Sequence, residues 1–506
     1  MHERQLNQDL TLTDLVAVAR QGRPVSLHPD ATVRVARAAR MVEELVAARR
    51  PVYGITTGFG KFSDVTISPD ETAALQRNLL LSHACGVGPL LSEEEVRAMM
   101  LLRAQALAQG HSGVRPQTLT LLLGMLNKGV WPAVPEQGSL GASGDLAPLA
   151  HVCLPLIGEG EAHYKGKLLP AREALAQAGL QPVELAAKEG LALINGTQAM
   201  TAIGSLVLYD ALQLLKVAEI TAALTAEALR AIPAAWDERI QLLRRHAGQI
   251  ASARALRRLV AGSSLVTDPG ELRTQDAYTL RCIPQVHGAS RGALAHVTEI
   301  VAGELNAVTD NPLLFPADGA VISGGNFHGQ PVALAMDYLG IALAELANIS
   351  ERRVERLVNP ALSGLPAFLT AKGGLHSGLM IVQYSAASLV SENKVWAHPS
   401  SVDSIPSSAN QEDHVSMGTT GARKARQILK NAQRVLAMEL LCAAQALEFS
   451  DPRGLGNGTA IAYRLVRERV AALDEDRYLA PEIERLAELV RSGELVRAVE
   501  AVVGEL

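Results

Sequence analysis

The chain has 506 residues, 48% hydrophobic and 20% charged, with 47 basic against 52 acidic residues and a net charge of −5. These values exclude a disordered chain, which needs low hydrophobicity and high net charge, and they give no reason to expect nucleic acid or a membrane as partner. Aromatic residues are scarce at 3% (8 Tyr, 6 Phe, 3 Trp), so Ala, Leu and Val must build the core, which points to closely packed helices and excludes a base-stacking platform for single-stranded nucleic acid.

The N-terminus, MHERQLNQDL, lacks the apolar run of a signal peptide. Residues 30–49 read as a helix, with Asp30 as N-cap and Val35, Ala39, Val42 and Val46 at helical spacing. PVYGITTGFGKFSD (51–64) is rich in Gly and Thr and reads as a short strand plus a loop. Residues 93–109 and 116–128 are again helical. The stretch from Trp131 to Leu149 is broken by Gly and Pro and reads as an irregular loop, and YKGKLLPA (164–171) as a small hairpin strand.

Near residue 190 the texture changes. Residues 1–190 form a mixed N-terminal region; residues 191–506 carry long Ala/Leu-rich helices at 197–230, 288–307, 328–357, 376–396 and 419–448. Helices this long and apolar on several faces bury each other in a bundle. So many apolar faces exceed what one subunit covers, which predicts an oligomer. The most apolar stretches contain Asp210, Lys216 and Glu219, or Asp337 and Glu345, and read as core helices rather than membrane spans. DPRGLGNG (451–458) separates a final charged helical region. No repeat of 20–50 residues is present.

Several familiar signals fail. Cys85, Cys153, Cys282 and Cys442 lie far apart without a CxxC pair, which fits a reducing cytosol and offers neither a zinc cluster nor a disulfide framework. GITTGFGKF resembles a phosphate loop, but five residues separate Gly54 from Gly60 and Phe62 stands where the loop needs its hydroxyl. GLGNG (454–458) lacks a preceding strand and reads as a turn. His296 and Glu299, three apart, read as a surface contact, and there is no HExxH or GxSxG.

The strong signal is GSLGASGDLAPLAH (138–151). If the chain bends sharply, the Gly144 nitrogen can attack the Ala142 carbonyl carbon and close a five-membered ring through Ser143. Loss of one water from the ring and of the Ser143 hydroxyl as a second leaves an exocyclic methylidene, an electrophile that no ordinary side chain provides. Gly144 leaves the attacking nitrogen unhindered, Gly141 and Gly144 permit the bend, and Ala142 is small enough for a crowded turn. Taken alone, the tripeptide reads as a plain loop; its surroundings decide.

GSLGASGDLAPLAH resembles the signature of the aromatic amino-acid ammonia-lyases and aminomutases, which carry the 4-methylidene-imidazol-5-one (MIO) group. The resemblance continues in order through YGITTGFGKF (53–62), NLLLSHACGVG (78–88), LINGTQAM (193–200), QDAYTLRCIPQVHG (275–288), TDNPL (309–313), SGGNFHGQ (323–330), ENKVWAHPSSVDSIP (392–406) and SANQEDHVSMG (408–418). It implies a mainly α-helical fold with a long central bundle, like that of the fumarases and aspartases, and a mixed N-terminal region that carries the MIO loop. Within the family the chain is most similar to the branch that eliminates ammonia from L-histidine to give trans-urocanate. The alternative is another MIO enzyme, a tyrosine or phenylalanine ammonia-lyase or a 2,3-aminomutase. Lyases of the fumarase type carry a GSSxMPxKxNP loop, which is absent here. A catalytically dead helical scaffold is the remaining rival; it predicts no cyclisation.

The resemblance also assigns roles. Ala142, Ser143 and Gly144 form the MIO, so no metal and no external organic cofactor are implied. Tyr53 matches the base that removes the β-proton; a free Tyr has a pKa of about 10, so its surroundings must favour phenolate or the enzyme must work at alkaline pH. Tyr278 matches a residue beside the reacting centre, and Arg281, three residues on and on the same helical face, matches the residue that grips the carboxylate. Asn195 matches a residue that contacts the substrate or the MIO carbonyl. Gln275 and Phe327 match positions around the ring. His83 and Glu412 match those that separate the histidine branch from its phenylalanine and tyrosine relatives, as an imidazole needs hydrogen-bond partners in a buried pocket. Cys85 stands where many relatives have a small residue such as Ser and removes no motif side chain. The family forms tetramers with active sites shared among subunits, which implies a cytoplasmic homotetramer.

Overall fold

The computed structural model describes residues 2–62, 64–68 and 71–506. Its helices begin at local signals that the sequence carries. Leu12–Gln21 starts after Thr11 and Glu93–Ala108 after Ser92, and each start is a capping box closed by Asp14 or Glu95. Pro29–Ala47 covers the expected helix over 30–49, but its N-cap is His28, whose Nδ1 accepts the Asp30 N–H at 3.2 Å. Pro29 takes the first helical position, where its fixed φ is already helical, so Asp30 falls in the first turn and faces the positive helix end.

The segment 51–64 forms no strand among its described residues; Ser63 lies outside them. It folds as successive turns with a single antiparallel bridge, Thr57 to Thr66, and its threonine side chains bond the backbone locally. Thr56 Oγ1 accepts from Val52 N at 2.9 Å and donates to Arg50 O at 2.6 Å, and Thr57 Oγ1 accepts from Gly54 N at 3.3 Å. Between Trp131 and Leu149 the expected loop contains two short strands, Trp131–Pro132 and Pro135–Gln137, and runs into helix Leu146–Cys153. The hairpin over 164–171 is present, with Lys167–Pro170 antiparallel to Glu161–Tyr164.

The chain divides into two compact units. Met1–Leu206, Thr298–Asp337 and Pro399–Arg423 make the first; Val207–Val297, Tyr338–His398 and Lys424–Leu506 make the second. Among the described residues every strand belongs to the first unit, in four small sheets: Arg4–Leu6 parallel to Val25–Leu27, Val87–Leu90 antiparallel to Pro135–Gln137, a three-stranded sheet around Glu161–Tyr164, and the hairpin Leu313–Phe315 with Ala320–Ile322. Helix Glu93–Ala108 is the core of this unit, buried at every residue from Glu95 to Ala108. Arg97 is tolerated there because three backbone carbonyls, Val18, Ala19 and Leu126, accept its guanidinium protons.

The second unit is helical among its described residues. The long helices expected from composition are all found, Gln198–Ala228, Ile283–Glu304, Gln330–Val358, Met380–Trp396 and Gly418–Leu447, and all but Met380–Trp396 have residues assigned to each unit. In this unit the fully buried pair Arg353–Glu439 is satisfied further by the hydroxyls of Thr225 and Ser350. Gln198–Ala228 and Gln330–Val358 are long and apolar enough to cross a membrane, but 72% and 67% of their most apolar windows are buried inside the protein, as in core helices. Apolar side chains remain exposed on Gln330–Val358 (Leu334, Tyr338 and Ile341) and on Met380–Trp396 (Ile381, Tyr384, Val395 and Trp396).

Candidate active site

A cavity of about 1100 Å³ lies in the first unit. Its wall brings together Tyr53, His83, Ala142, Ser143, Gly144, Asn195, Phe327 and Glu412, eight of the eleven residues singled out from sequence. The other three, Gln275, Tyr278 and Arg281, belong to the second unit and line a cavity of about 450 Å³ there. Tyr278 and Arg281 share a face as their spacing predicts. The Arg281 guanidinium carbon sits 4.7 Å from the Tyr278 ring centre, and Tyr278 is 68% exposed.

The loop that carries Ala142-Ser143-Gly144 is bent and clamped. Gly141 has φ +86°, and a Cβ there would lie 2.3 Å from Ser416 Oγ; Gly144 has φ +72°, and a Cβ there would lie 2.2 Å from Gly196 O. Only glycine fits either place. Gly141 O and Leu140 O accept from Ser416 N (3.3 Å) and Met417 N (3.2 Å), and Asp145 N donates to Gly196 O at 2.6 Å. Ser143 faces the cavity between these anchors. A tight bend closed by two obligatory glycines, with its serine on a cavity wall, fits a ring built from these three residues.

Tyr53 is half-buried, and its hydroxyl accepts the Gly60 N–H at 3.3 Å. Burial raises its pKa above the usual phenol value; the Gly60 bond opposes this, and the Glu412 charge adds to the rise. The resting phenol is therefore protonated at neutral pH. His83 ends helix Thr72–His83, and burial lowers its pKa, so its ring is neutral. Ser82 Oγ donates to Leu79 O at 3.1 Å and lies 3.0 Å from His83 Nδ1. Glu412 is held by a backbone bridge to Ser407. Asn195 is buried, and its Oδ1 has no partner among the described residues.

A family model of aromatic amino acid lyases matches residues 10–468. The chain belongs to the aromatic amino acid lyase family. This lyase is 70% identical over 506 residues to a histidine ammonia-lyase of Symbiobacterium thermophilum, covering 100% of both chains. Among solved structures it resembles histidine ammonia-lyase from Trypanosoma cruzi (TM-score 0.92, 42% identity, 99% of this chain and 95% of that one). It also resembles a tyrosine aminomutase from Streptomyces globisporus (TM-score 0.95, 40% identity, 99% of each chain). Differently named activities thus share one helical fold.

Sequence reasoning about this lyase passed over the residues that hold the site from behind. Asp145 is fully buried. Its carboxylate accepts from Ser139 Oγ (2.7 Å), from the Thr419 hydroxyl and from the Ala199 and Met200 amides (2.9 Å each) at the start of helix Gln198–Ala228. Burial pushes its pKa up against these four bonds. The available signal was an acid directly after the Ala-Ser-Gly run. Arg103, Lys188 and Asp310 were also missed. A charged residue amid the apolar run LLRAQALA was the signal for Arg103, whose Nη1 donates to Asn195 O, Gln198 Oε1 and Thr309 O. Cys85 lines the cavity and is exposed. Among the described residues no group of three or more His, Cys, Asp or Glu side chains is placed to hold a metal ion.

Proposed function

We propose that this lyase is a histidine ammonia-lyase, which eliminates ammonia from L-histidine to give trans-urocanate, the first step of histidine degradation. The observation that carries the reading is the single cavity that joins the Ala142-Ser143-Gly144 bend to Tyr53, His83 and Glu412. The MIO formed from that tripeptide supplies an electrophile that turns the α-amine into a leaving group. Tyr53 takes the β-proton. Asn195 Oδ1 accepts a hydrogen bond from the substrate amine, and Phe327 packs beside the ring. The Glu412 carboxylate accepts and the His83 ring can donate or accept, so they favour a ring with polar nitrogens and leave a phenyl ring with unpaired polar neighbours.

Arg281 binds the carboxylate by a two-pronged charge-assisted bond, with Gln275 and Tyr278 beside it. These three line a cavity of the second unit, and we read them as supplied to the Tyr53 cavity by a neighbouring copy. The enzyme then works as a homotetramer with shared active sites, and the exposed apolar residues Ile381, Tyr384, Val395 and Trp396 support burial of that helix face against another copy. We place it in the cytoplasm, acting on a small molecule without a nucleic-acid or membrane partner. Its prosthetic group comes from the chain, so the reading needs no metal and no added organic cofactor.

The tyrosine aminomutase neighbour makes another MIO activity the second reading. Purified protein is assayed with L-histidine, L-tyrosine and L-phenylalanine, following urocanate absorbance and, for an aminomutase, the β-amino acid. Faster turnover of tyrosine than of histidine overturns the assignment. Glu412→Ala is expected to lower kcat/KM for L-histidine by roughly 100-fold, the scale of a lost charge-assisted bond of about 3 kcal/mol. The variant should still be two waters lighter than its sequence. A matching loss of cyclisation would instead make Glu412 a residue of ring formation.

A further inference from the structure

A buried polar cluster lies behind Asn195. Lys188 and Asp310, both fully buried, pair at 2.8 Å. Lys188, in left-handed conformation with φ +70°, precedes helix Glu189–Ile194, and Asn195 ends it. Asp310 ties the two ends together. Its Oδ2 accepts from Lys188 Nζ, while its Oδ1 accepts from Asn311 N at 2.7 Å and from Asn195 Nδ2 at 3.4 Å. The Asn311 carbonyl accepts a second bond from Asn195 Nδ2 at 3.2 Å. Both groups that face Nδ2 can only accept. The amide therefore cannot turn over without setting its oxygen against a carboxylate and a carbonyl. The atom left over is Oδ1, buried and without a partner among the described residues, on a side chain that lines the cavity of the Ala-Ser-Gly bend.

Stability does not explain such a pair. Taking an ammonium and a carboxylate out of water costs about as much as their attraction returns, and apolar residues of the same size often serve as well. What the pair does provide is a fixed polarity beside a side chain whose two ends are otherwise interchangeable in shape. Arg103 adds to this from the backbone side, with Nη1 donating to Asn195 O at 3.3 Å.

We propose that Lys188 and Asp310 are positioning residues that hold the Asn195 amide with its oxygen toward the substrate amine. The amine subsite then offers an acceptor to an N–H-bearing nitrogen and rejects a substrate placed with its carboxylate there. This rests on the proposed elimination from L-histidine.

The test is a double-mutant cycle in the full-length enzyme. Lys188→Met with Asp310→Asn removes both charges and keeps the volume; it is made alone and in an Asn195→Ala background. Each protein is weighed intact, to show that it remains two waters lighter than its sequence, and assayed with L-histidine. If the pair acts through Asn195, it lowers kcat/KM by about tenfold in the parent and by less than about twofold beside Asn195→Ala. Equal losses in both backgrounds, or an unchanged parent, overturn the positioning role. Should the charge-free pair not fold, Asp310→Asn alone goes through the same cycle. Near-normal activity of Asn195→Ala overturns the amine subsite while urocanate production by the parent still stands; no urocanate from the parent overturns the proposed function itself.

Discussion

Ser143→Ala is expected to abolish turnover of L-histidine, lowering kcat by about 1000-fold or more, while the protein keeps its fold. The substitution removes only the hydroxyl whose loss, on the proposed chemistry, creates the methylidene. The clamps on the loop run through Leu140 O, Gly141 O, Asp145 N and the Asp145 carboxylate, none of which involves that hydroxyl. Thermal unfolding should therefore match the parent, and the intact mass should equal the full sequence mass instead of falling two waters short. Near-normal activity would refute the electrophile. An unchanged mass deficit would refute its origin in Ser143.

Tyr53→Phe should be the next most damaging change, with kcat/KM reduced roughly 1000-fold, the range of a lost general base. The pH profile carries a further expectation whose sign follows from the site. A base must be deprotonated to act, and burial beside Glu412 moves the phenol pKa above its ordinary value of 10.0. Below that pKa the phenolate fraction rises tenfold for each pH unit. Activity should thus climb through neutrality and keep climbing into the alkaline range, and Tyr53→Phe should flatten the profile by about one unit of slope. A parent profile that falls above pH 7, or a Phe variant with the parent's slope, would remove Tyr53 from the role of base.

Most of the secondary structure was legible because long apolar helices announce themselves. Gly418–Leu447 and Gln330–Val358 appear where composition put them. The errors fell where side chains compete locally with the backbone. Thr56 and Thr57 turned an expected strand into turns, and Pro29 moved an N-cap from Asp30 to His28. The two units were hidden for another reason. The first takes up Thr298–Asp337 and Pro399–Arg423, and no composition shift marks segments that return to a distant partner. In the site, residues with a motif around them were found. Lys188 was passed over because its partner Asp310 is 122 positions away, although TDNPL itself stood among the matching segments.

The proposed electrophile was legible in the sequence alone. Ring closure needs three consecutive residues of the right kind, and adjacency in the chain is what a sequence records. The tertiary structure alone decided the rest: which of the eleven residues share a cavity, which end of the Asn195 amide is left free, and which way burial moves the Tyr53 pKa. Each depends on the polarity and exposure of groups that meet only on folding, where one acceptor-only neighbour is enough to settle the direction of a hydrogen bond.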